Sequence, residues 1–149
     1  MKIRKATKKD LKEYILLRKL ATKEYSRIKK KKISLPDNFI KKRFKELISS
    51  KDAFLLLAER DKTIEGYLAA SLIKGVTQKT GYVDDIFVLK EFRKKGVGSL
   101  LIKEFMTILK KNKFKKIRLG TYIDNKNALR MYKNMGFKIT HYELEKKIK

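Results

Sequence analysis

Residues 82–102 constrain this chain more than any other stretch. An apolar strand, Val83-Asp84-Asp85-Ile86-Phe87-Val88, leads to Arg93-Lys94-Lys95-Gly96-Val97-Gly98 and then into a helix starting near Ser99, whose apolar residues recur at three- and four-residue spacing. That order is the layout of a phosphate cradle. Gly96 and Gly98 lack Cβ atoms, so the backbone can adopt conformations closed to other residues and direct its N–H groups at an anion. The helix that follows adds its own unpaired N–H groups and the positive end of its dipole.

Two nucleotide motifs are excluded. A P-loop would place four residues between its glycines, followed by Lys-Ser or Lys-Thr, and no such segment exists. A dinucleotide fingerprint needs three glycines and an acidic residue about twenty positions later. Here there are two glycines, and the later position falls in the apolar region around Ile117 and Leu119.

The spacing Arg93-x-x-Gly96-x-Gly98 instead resembles the acyl-CoA signature of the GCN5-related N-acetyltransferases. Asn125-x-x-Ala128-x-x-x-Tyr132-x-x-x-Gly136-Phe137 is similar to that family's closing helix and its Gly-Phe step into the next strand. The two motifs stand in the family's order, with a strand over residues 116–122 between them.

With 149 residues the chain has the size of one domain, able to bury about two thirds of its unfolded surface. We expect a single N-acetyltransferase domain over residues 1–149. The absence of cysteine removes disulfides, thiolate metal sites and a cysteine nucleophile, and a lone His141 removes histidine-rich metal sites, so no metal is expected. The first residues lack the apolar core of a signal peptide and the longest apolar run, 53–58, is too short to span a bilayer, so a cytoplasmic protein without a membrane partner is expected. A formal charge of +25 attracts phosphate-bearing molecules in general and does not select among CoA, nucleic acid and anionic membrane. The densest cluster, residues 27–32, lies between two predicted helices and reads as a solvated loop.

Periodicity along the chain predicts a first strand over 3–6 and a helix opened by Thr7 and Asp10 and running to about Tyr25. Pro36 and Asp37 open a second helix, with Ile40, Phe44, Leu47 and Ile48 on one face. A hairpin of strands 53–58 and 64–73 follows, then a loop over 75–81, the strand from Tyr82, a helix, the strand over 116–122, a helix and a final strand over 137–148. The fold class is a single-domain α/β protein, three layers with a mixed sheet and helices on both faces, of the acyl-CoA N-acyltransferase type that the resemblance implies.

The resemblance implies acetyl-CoA as co-substrate. Its diphosphate would meet the backbone N–H groups of Lys94, Lys95, Gly96, Val97, Gly98 and Ser99, with the Arg93, Lys94 and Lys95 side chains adding charge. It also implies that the strand before the turn splays from its neighbour. Backbone groups of Phe87 and Val88 would then be open to the pantetheine arm, although both also read as ordinary core residues. Tyr132 reads from its spacing as a core aromatic, while the resemblance places its phenol near the sulfur as a proton donor. Asn125 reads as a helix cap, and the resemblance adds a CoA contact.

Acetyl transfer to an alkylamine requires a neutral amine, which at pH 7 has to lose a proton. Asp84 and Asp85 are the acids of the strand, and strand alternation points them to opposite faces. Asp84 would share a face with Tyr82, Ile86 and Val88, which makes it the preferred base, with Asp85 and water as alternatives. The function implied is direct transfer of acetyl to a primary amine, without a covalent enzyme intermediate. The acceptor is an amine-bearing small molecule or protein, with the positive charge favouring a protein or peptide amine or one carrying phosphate. The rival is a non-catalytic CoA-sensing or basic nucleic-acid-binding module, disfavoured because no reading helix or aromatic platform is evident. Monomer and homodimer both remain open.

Overall fold

The computed structural model describes residues 1–148. A short strand β1 (Lys2–Lys5) is followed, after a 3-10 turn, by α1 (Leu11–Lys29) and α2 (Asp37–Ser49). Then come β2 (Ala53–Arg60), β3 (Thr63–Lys74), β4 (Lys79–Val88), α3 (Val97–Lys111), β5 (Lys116–Leu119) and α4 (Lys126–Asn134).

The five strands form one sheet in the order β1-β2-β3-β4-β5. Neighbours are antiparallel except β4 and β5, which run parallel because α3 carries the chain back between them. β2 and β3 read as continuous apolar runs because helices cover both faces. On one face Tyr14, Leu17, Ile40, Phe44 and Leu47 of α1 and α2 pack on Leu55, Leu57, Tyr67 and Ala69. On the other, Val97, Leu101, Ile102, Phe105 and Leu109 of α3 pack on Leu56, Leu68, Ala70 and Val83. The three layers are those expected.

Several boundaries differ from the sequence reading. α1 runs to Lys29 rather than about Tyr25, so Arg27, Ile28 and Lys29 of the cluster expected as a loop are helical, and β2 extends to Arg60. The loop expected over 75–81 is only the turn between Lys74 and Lys79, and Gly81 lies inside β4 against Leu109, where a Cβ would collide with the leucine. α3 begins at Val97 rather than near Ser99, because Gly96 at φ 81° supplies the left-handed turn that starts it. β5 stops at Leu119, before Gly120, instead of reaching Tyr122. The expected last strand is not formed: residues 137–148 carry no regular structure, and Ile139, Tyr142, Leu144 and Ile148 are exposed. Alternation of apolar residues fits a strand, but here the segment has no neighbour supplying ladder hydrogen bonds.

The register of β4 carries the largest consequence. Ala69 pairs with Asp85 and Ala70 with Val83, so Asp84 is an extra residue without an opposite number, a β-bulge. The bulge resets the alternation. Val83 and Ile86 pack on the α3 side while Asp84 and Asp85 both turn toward α1 and α2. The expectation that the two carboxylates point to opposite faces, and that Asp84 shares one with Ile86 and Val88, is therefore corrected.

Candidate active site

β4 and β5 pair from Thr80 with Lys116 to Val83 with Leu119 and no further, whereas β4 continues to Val88 against β3. Residues 84–88 thus have a sheet neighbour on one side only, and the two parallel strands part at the end where β4 meets the glycine turn. Phe87 turns its carbonyl toward β3, where a Cβ on Gly66 would lie 2.5 Å from it. Alternation then gives Ile86 and Val88 to the open edge, so the expectation that Phe87 backbone groups are open is corrected: they pair with β3, and Ile86 takes that place. The Val88 carbonyl is held there by Arg93 Nε at 2.9 Å.

Beyond β4 the turn is shaped by two left-handed residues, Lys94 at φ 60° and Gly96 at φ 81°. Val97, 1% exposed, anchors α3 in the core, and Gly98 lies so close to α4 that a Cβ would sit 3.3 Å from Met131 Sδ. The first intrahelical bond runs from Leu100 N–H to the Gly96 carbonyl. Among the described residues, the N–H groups of Lys94, Lys95, Gly96, Val97, Gly98 and Ser99 have no backbone or side-chain acceptor. Six consecutive unpaired donors next to a helix N-terminus make an anion site by backbone shape alone. The Lys94 and Lys95 side chains are exposed beside it, Lys95 near the Phe92 ring. Arg93 is committed elsewhere: its guanidinium bridges the Val88 carbonyl and Glu24 of α1 and lies against the Phe87 ring.

Asn125 caps α4, its side-chain oxygen accepting the Ala128 N–H at 3.3 Å. That cap sets the helix carrying Tyr132, which is 6% exposed and packs edge-on against Phe137. The Tyr132 hydroxyl has no hydrogen-bond partner among the described residues. Burial, and secondarily the charge of Asp85, push its pKa up to about 12. Of the two strand acids, Asp85 is the one felt at Tyr132.

The other side of the opening holds residues that sequence reasoning did not single out. Asp85 accepts a hydrogen bond from the fully buried Tyr67 hydroxyl and pairs with Arg18 of α1 at 2.9 Å. Asp84 accepts from Ser71 Oγ at 2.5 Å and pairs with Arg43 of α2 at 3.0 Å. No sequence signal connects these groups: the two arginines come from helices far from β4 in the chain, and Tyr67 and Ser71 meet the acids only through the β3–β4 register. The last turns of α1 then cross the opening, with Glu24 bonded to Arg93 after β4 and Tyr25 hydrogen-bonded to Tyr122 after β5. Lys29 Nζ stands 3.6 Å from the centre of the Tyr122 ring. The bond to Tyr122, with some help from burial, raises the Tyr25 pKa to about 12.

The arrangement is a parted sheet with an anion cradle at its end. A phenol lies on the α4 side and two carboxylates on the α1 and α2 side. Among the described residues there is no cluster of His, Asp and Glu able to hold a metal, and no helix is long and apolar enough to cross a membrane.

The chain is similar to known proteins in sequence and in fold. N-alpha-acetyltransferase of Sulfurisphaera tokodaii is 28% identical over 128 residues, covering 77% of this chain and 77% of its own. N-alpha-acetyltransferase 60 of Xenopus tropicalis is 30% identical over 130 residues, covering 74% of this chain and 52% of its own. In structure, the F44R mutant of the BH1408 protein from Bacillus halodurans superposes with a TM-score of 0.87 at 21% identity, over 99% of both chains. The apo aminoglycoside 6'-N-acetyltransferase AAC(6')-IG of Acinetobacter haemolyticus does so with 0.78 at 24% identity, over 100% of this chain and 99% of its own. A family model described as acetyltransferase (GNAT) matches residues 16–137, most of the chain from α1 to the end of α4, and the protein therefore belongs to the GNAT acetyltransferase family.

Proposed function

We propose that the protein transfers acetyl from acetyl-CoA directly to the amine of a protein or peptide. The observation that carries the donor half is the run of six unpaired backbone N–H groups, residues 94–99, at the end of a parted β4–β5 pair. These fit the diphosphate, while the free edge at Ile86 and Val88 fits an extended amide-bearing arm by the pairing a missing strand would make. The solved complex of aminoglycoside N-acetyltransferase AAC(6')-Iy with CoA has the same fold, at a TM-score of 0.82. The N-alpha-acetyltransferase names of the sequence relatives support a peptide amine as acceptor.

In the reaction the acceptor nitrogen forms a bond to the acetyl carbon and the carbon–sulfur bond breaks. Asp85, held at the opening by Arg18 and the Tyr67 hydroxyl, receives the proton lost by the amine, directly or through one water. Asp84, turned toward Arg43 and Ser71, orients α2 instead. Tyr132, kept protonated, donates its phenolic proton to the departing sulfur. An open-edge N–H of β4 stabilises the carbonyl oxygen as it gains charge. No cysteine is present to carry an acyl intermediate, so both substrates occupy the site together.

The test is a thiol-release assay with acetyl-CoA and a panel of peptides, aminoglycosides and polyamines, run beside a thermal-shift titration. Stabilisation by acetyl-CoA, intersecting double-reciprocal plots and acetylated peptide by mass are expected. Stabilisation without turnover on any amine would leave a CoA-sensing module, and absence of both would remove the reading.

A further inference from the structure

The basic run at residues 27–32 has no place in the mechanism above, yet the fold sets it beside the opening. Lys29 lies over Tyr122, which follows β5, and Tyr25 one turn earlier is hydrogen-bonded to the same residue. α1 then stops: Lys30 takes the left-handed conformation at φ 49°, and Lys30 and Lys31 donate to the carbonyls of Arg27 and Ser26. Ser26 Oγ bonds both the N–H and the carbonyl of Ile33 at 3.1 Å, which folds the following loop back on the helix. Arg27 and Lys29 to Lys32 are exposed, and no ion pair engages them among the described residues.

The carboxylates around the opening are in the opposite condition. Asp85 is paired with Arg18, Asp84 with Arg43 and Glu24 with Arg93. An acceptor with several ammonium groups presents one to the acetyl group and needs carboxylates for the rest. It meets matched acids and, past them, unmatched lysines. A chain bearing carboxylates a few residues from its amine meets the reverse. From Tyr25 to Lys29, the last residue of α1, the helix rises about 6 Å, which about two extended residues span.

We infer that residues 27–32 form an acceptor-recognition surface and that the preferred acceptor is a peptide whose second to fourth residues are acidic. The inference rests on the transferase reading and narrows it to one substrate class. Nucleic acid is the less suited occupant, since Tyr25 and Tyr122, the aromatics beside the run, are bonded to each other rather than offered for stacking.

Three peptides with amino-terminal serine, followed by three glutamates, three glutamines or three lysines, separate the possibilities. Turnover of the glutamine peptide tests the transferase reading, and the ratio among the three tests the acceptor surface. At low salt, kcat/KM is expected to be about tenfold higher for the acidic peptide than for the neutral one, and lower again for the basic one. The spread should narrow to about threefold at 0.3 M NaCl, because exposed charge pairs are individually weak and screened. Lys31→Glu/Lys32→Glu should abolish the acidic preference while leaving turnover of the glutamine peptide unchanged and shifting the KM for acetyl-CoA no more than Lys110→Glu/Lys111→Glu does. Lys110→Glu/Lys111→Glu makes the same charge change at the far end of α3, about 20 Å from the cradle, and should leave the preference intact. Equal kcat/KM for the three peptides, or equal loss in both double variants, would overturn the inference. If none is acetylated, anisotropy of labelled acidic and neutral peptides decides it, and equal affinity overturns it. A single-stranded RNA that outcompetes the acidic peptide, with binding lost in Lys31→Glu/Lys32→Glu, would reassign the run to nucleic acid.

Discussion

Tyr132 is a buried phenol whose hydroxyl has no partner among the described residues, an arrangement with little value for stability, since an unmade hydrogen bond contributes nothing to folding. Tyr132→Phe is therefore expected to leave the unfolding midpoint within about 0.5 kcal/mol of the parent. It should lower kcat by about 100- to 1,000-fold, in the lower part of the range for a lost general acid or base, with the KM for acetyl-CoA unchanged. Because burial and Asp85 raise this pKa to about 12, the phenol stays protonated through neutral and mildly alkaline pH. The wild-type kcat profile should show no alkaline decline before about pH 11 that vanishes in the phenylalanine variant. The two acids of β4 are separable in the same assay. Asp85→Asn should lose at least about tenfold in kcat/KM at pH 7 and recover toward pH 9, where more of an α-amine with pKa near 8 is already neutral. Asp84→Asn, which only loosens the contact with Arg43 and Ser71, should change kcat/KM by less than about threefold. A larger loss in Asp84→Asn than in Asp85→Asn would return the base assignment to Asp84.

Among the elements, β4 shows most clearly what a sequence conceals. Its apolar residues, the glycines after it and the periodicity of α3 were legible because each is a local pattern. The strand, the glycine turn and the helix could accordingly be placed in order, with the helix start moved to Val97 and the strand start to Lys79. The bulge at Asp84 is set by how β4 registers against its hairpin partner β3, and nothing in Val83-Asp84-Asp85-Ile86 announces it. Nor could Arg18, Arg43 and Tyr67 be read as partners of the two acids. Residues 137–148 fail in the other direction: their alternation is a strand signal, but a strand also needs a neighbour. At the β1–α1 corner, by contrast, the short-range signal at Thr7 and Asp10 was sound. The Asp10 carboxylate accepts the Thr7 N–H at 2.7 Å and two hydrogen bonds from Arg4, which, chiefly through Arg4 and against the cost of burial, lower its pKa from 3.8 to about 2. A depressed carboxylate pKa stabilises the fold fully above the unfolded value. That contribution fades as pH falls through 3.8 and is gone below about 2. Near neutral pH the difference amounts to about 2 kcal/mol. Asp10→Asn should lower stability by roughly that amount at pH 7 in chemical denaturation, and the gap to the parent should close as the solution is taken toward pH 2. A gap independent of pH would mean that Asp10 acts through packing rather than charge.

For the whole molecule, under the proposed function, a charge of +25 on 149 residues and a turn of unpaired backbone donors act on the same anionic substrate at different ranges. The net charge acts at distance, raising the encounter rate, and is screened over about 10 Å at 0.1 M salt. The six N–H groups of residues 94–99 act only on contact, where screening matters little. The two contributions should therefore separate kinetically. With a fluorescent CoA analogue in stopped flow, the association rate should fall by about tenfold between 0.05 and 0.5 M NaCl, while the dissociation rate changes by less than about threefold. Lys110→Glu/Lys111→Glu, remote from the cradle, should slow association only. Were the exposed side chains of Lys94 and Lys95 the grip instead, dissociation would quicken with salt as steeply as association slows, and Lys94→Ala/Lys95→Ala would release the analogue at low salt as fast as the parent does at high salt. Two independent rates thus decide whether the substrate is held by the shape of the main chain or by the lysines around it.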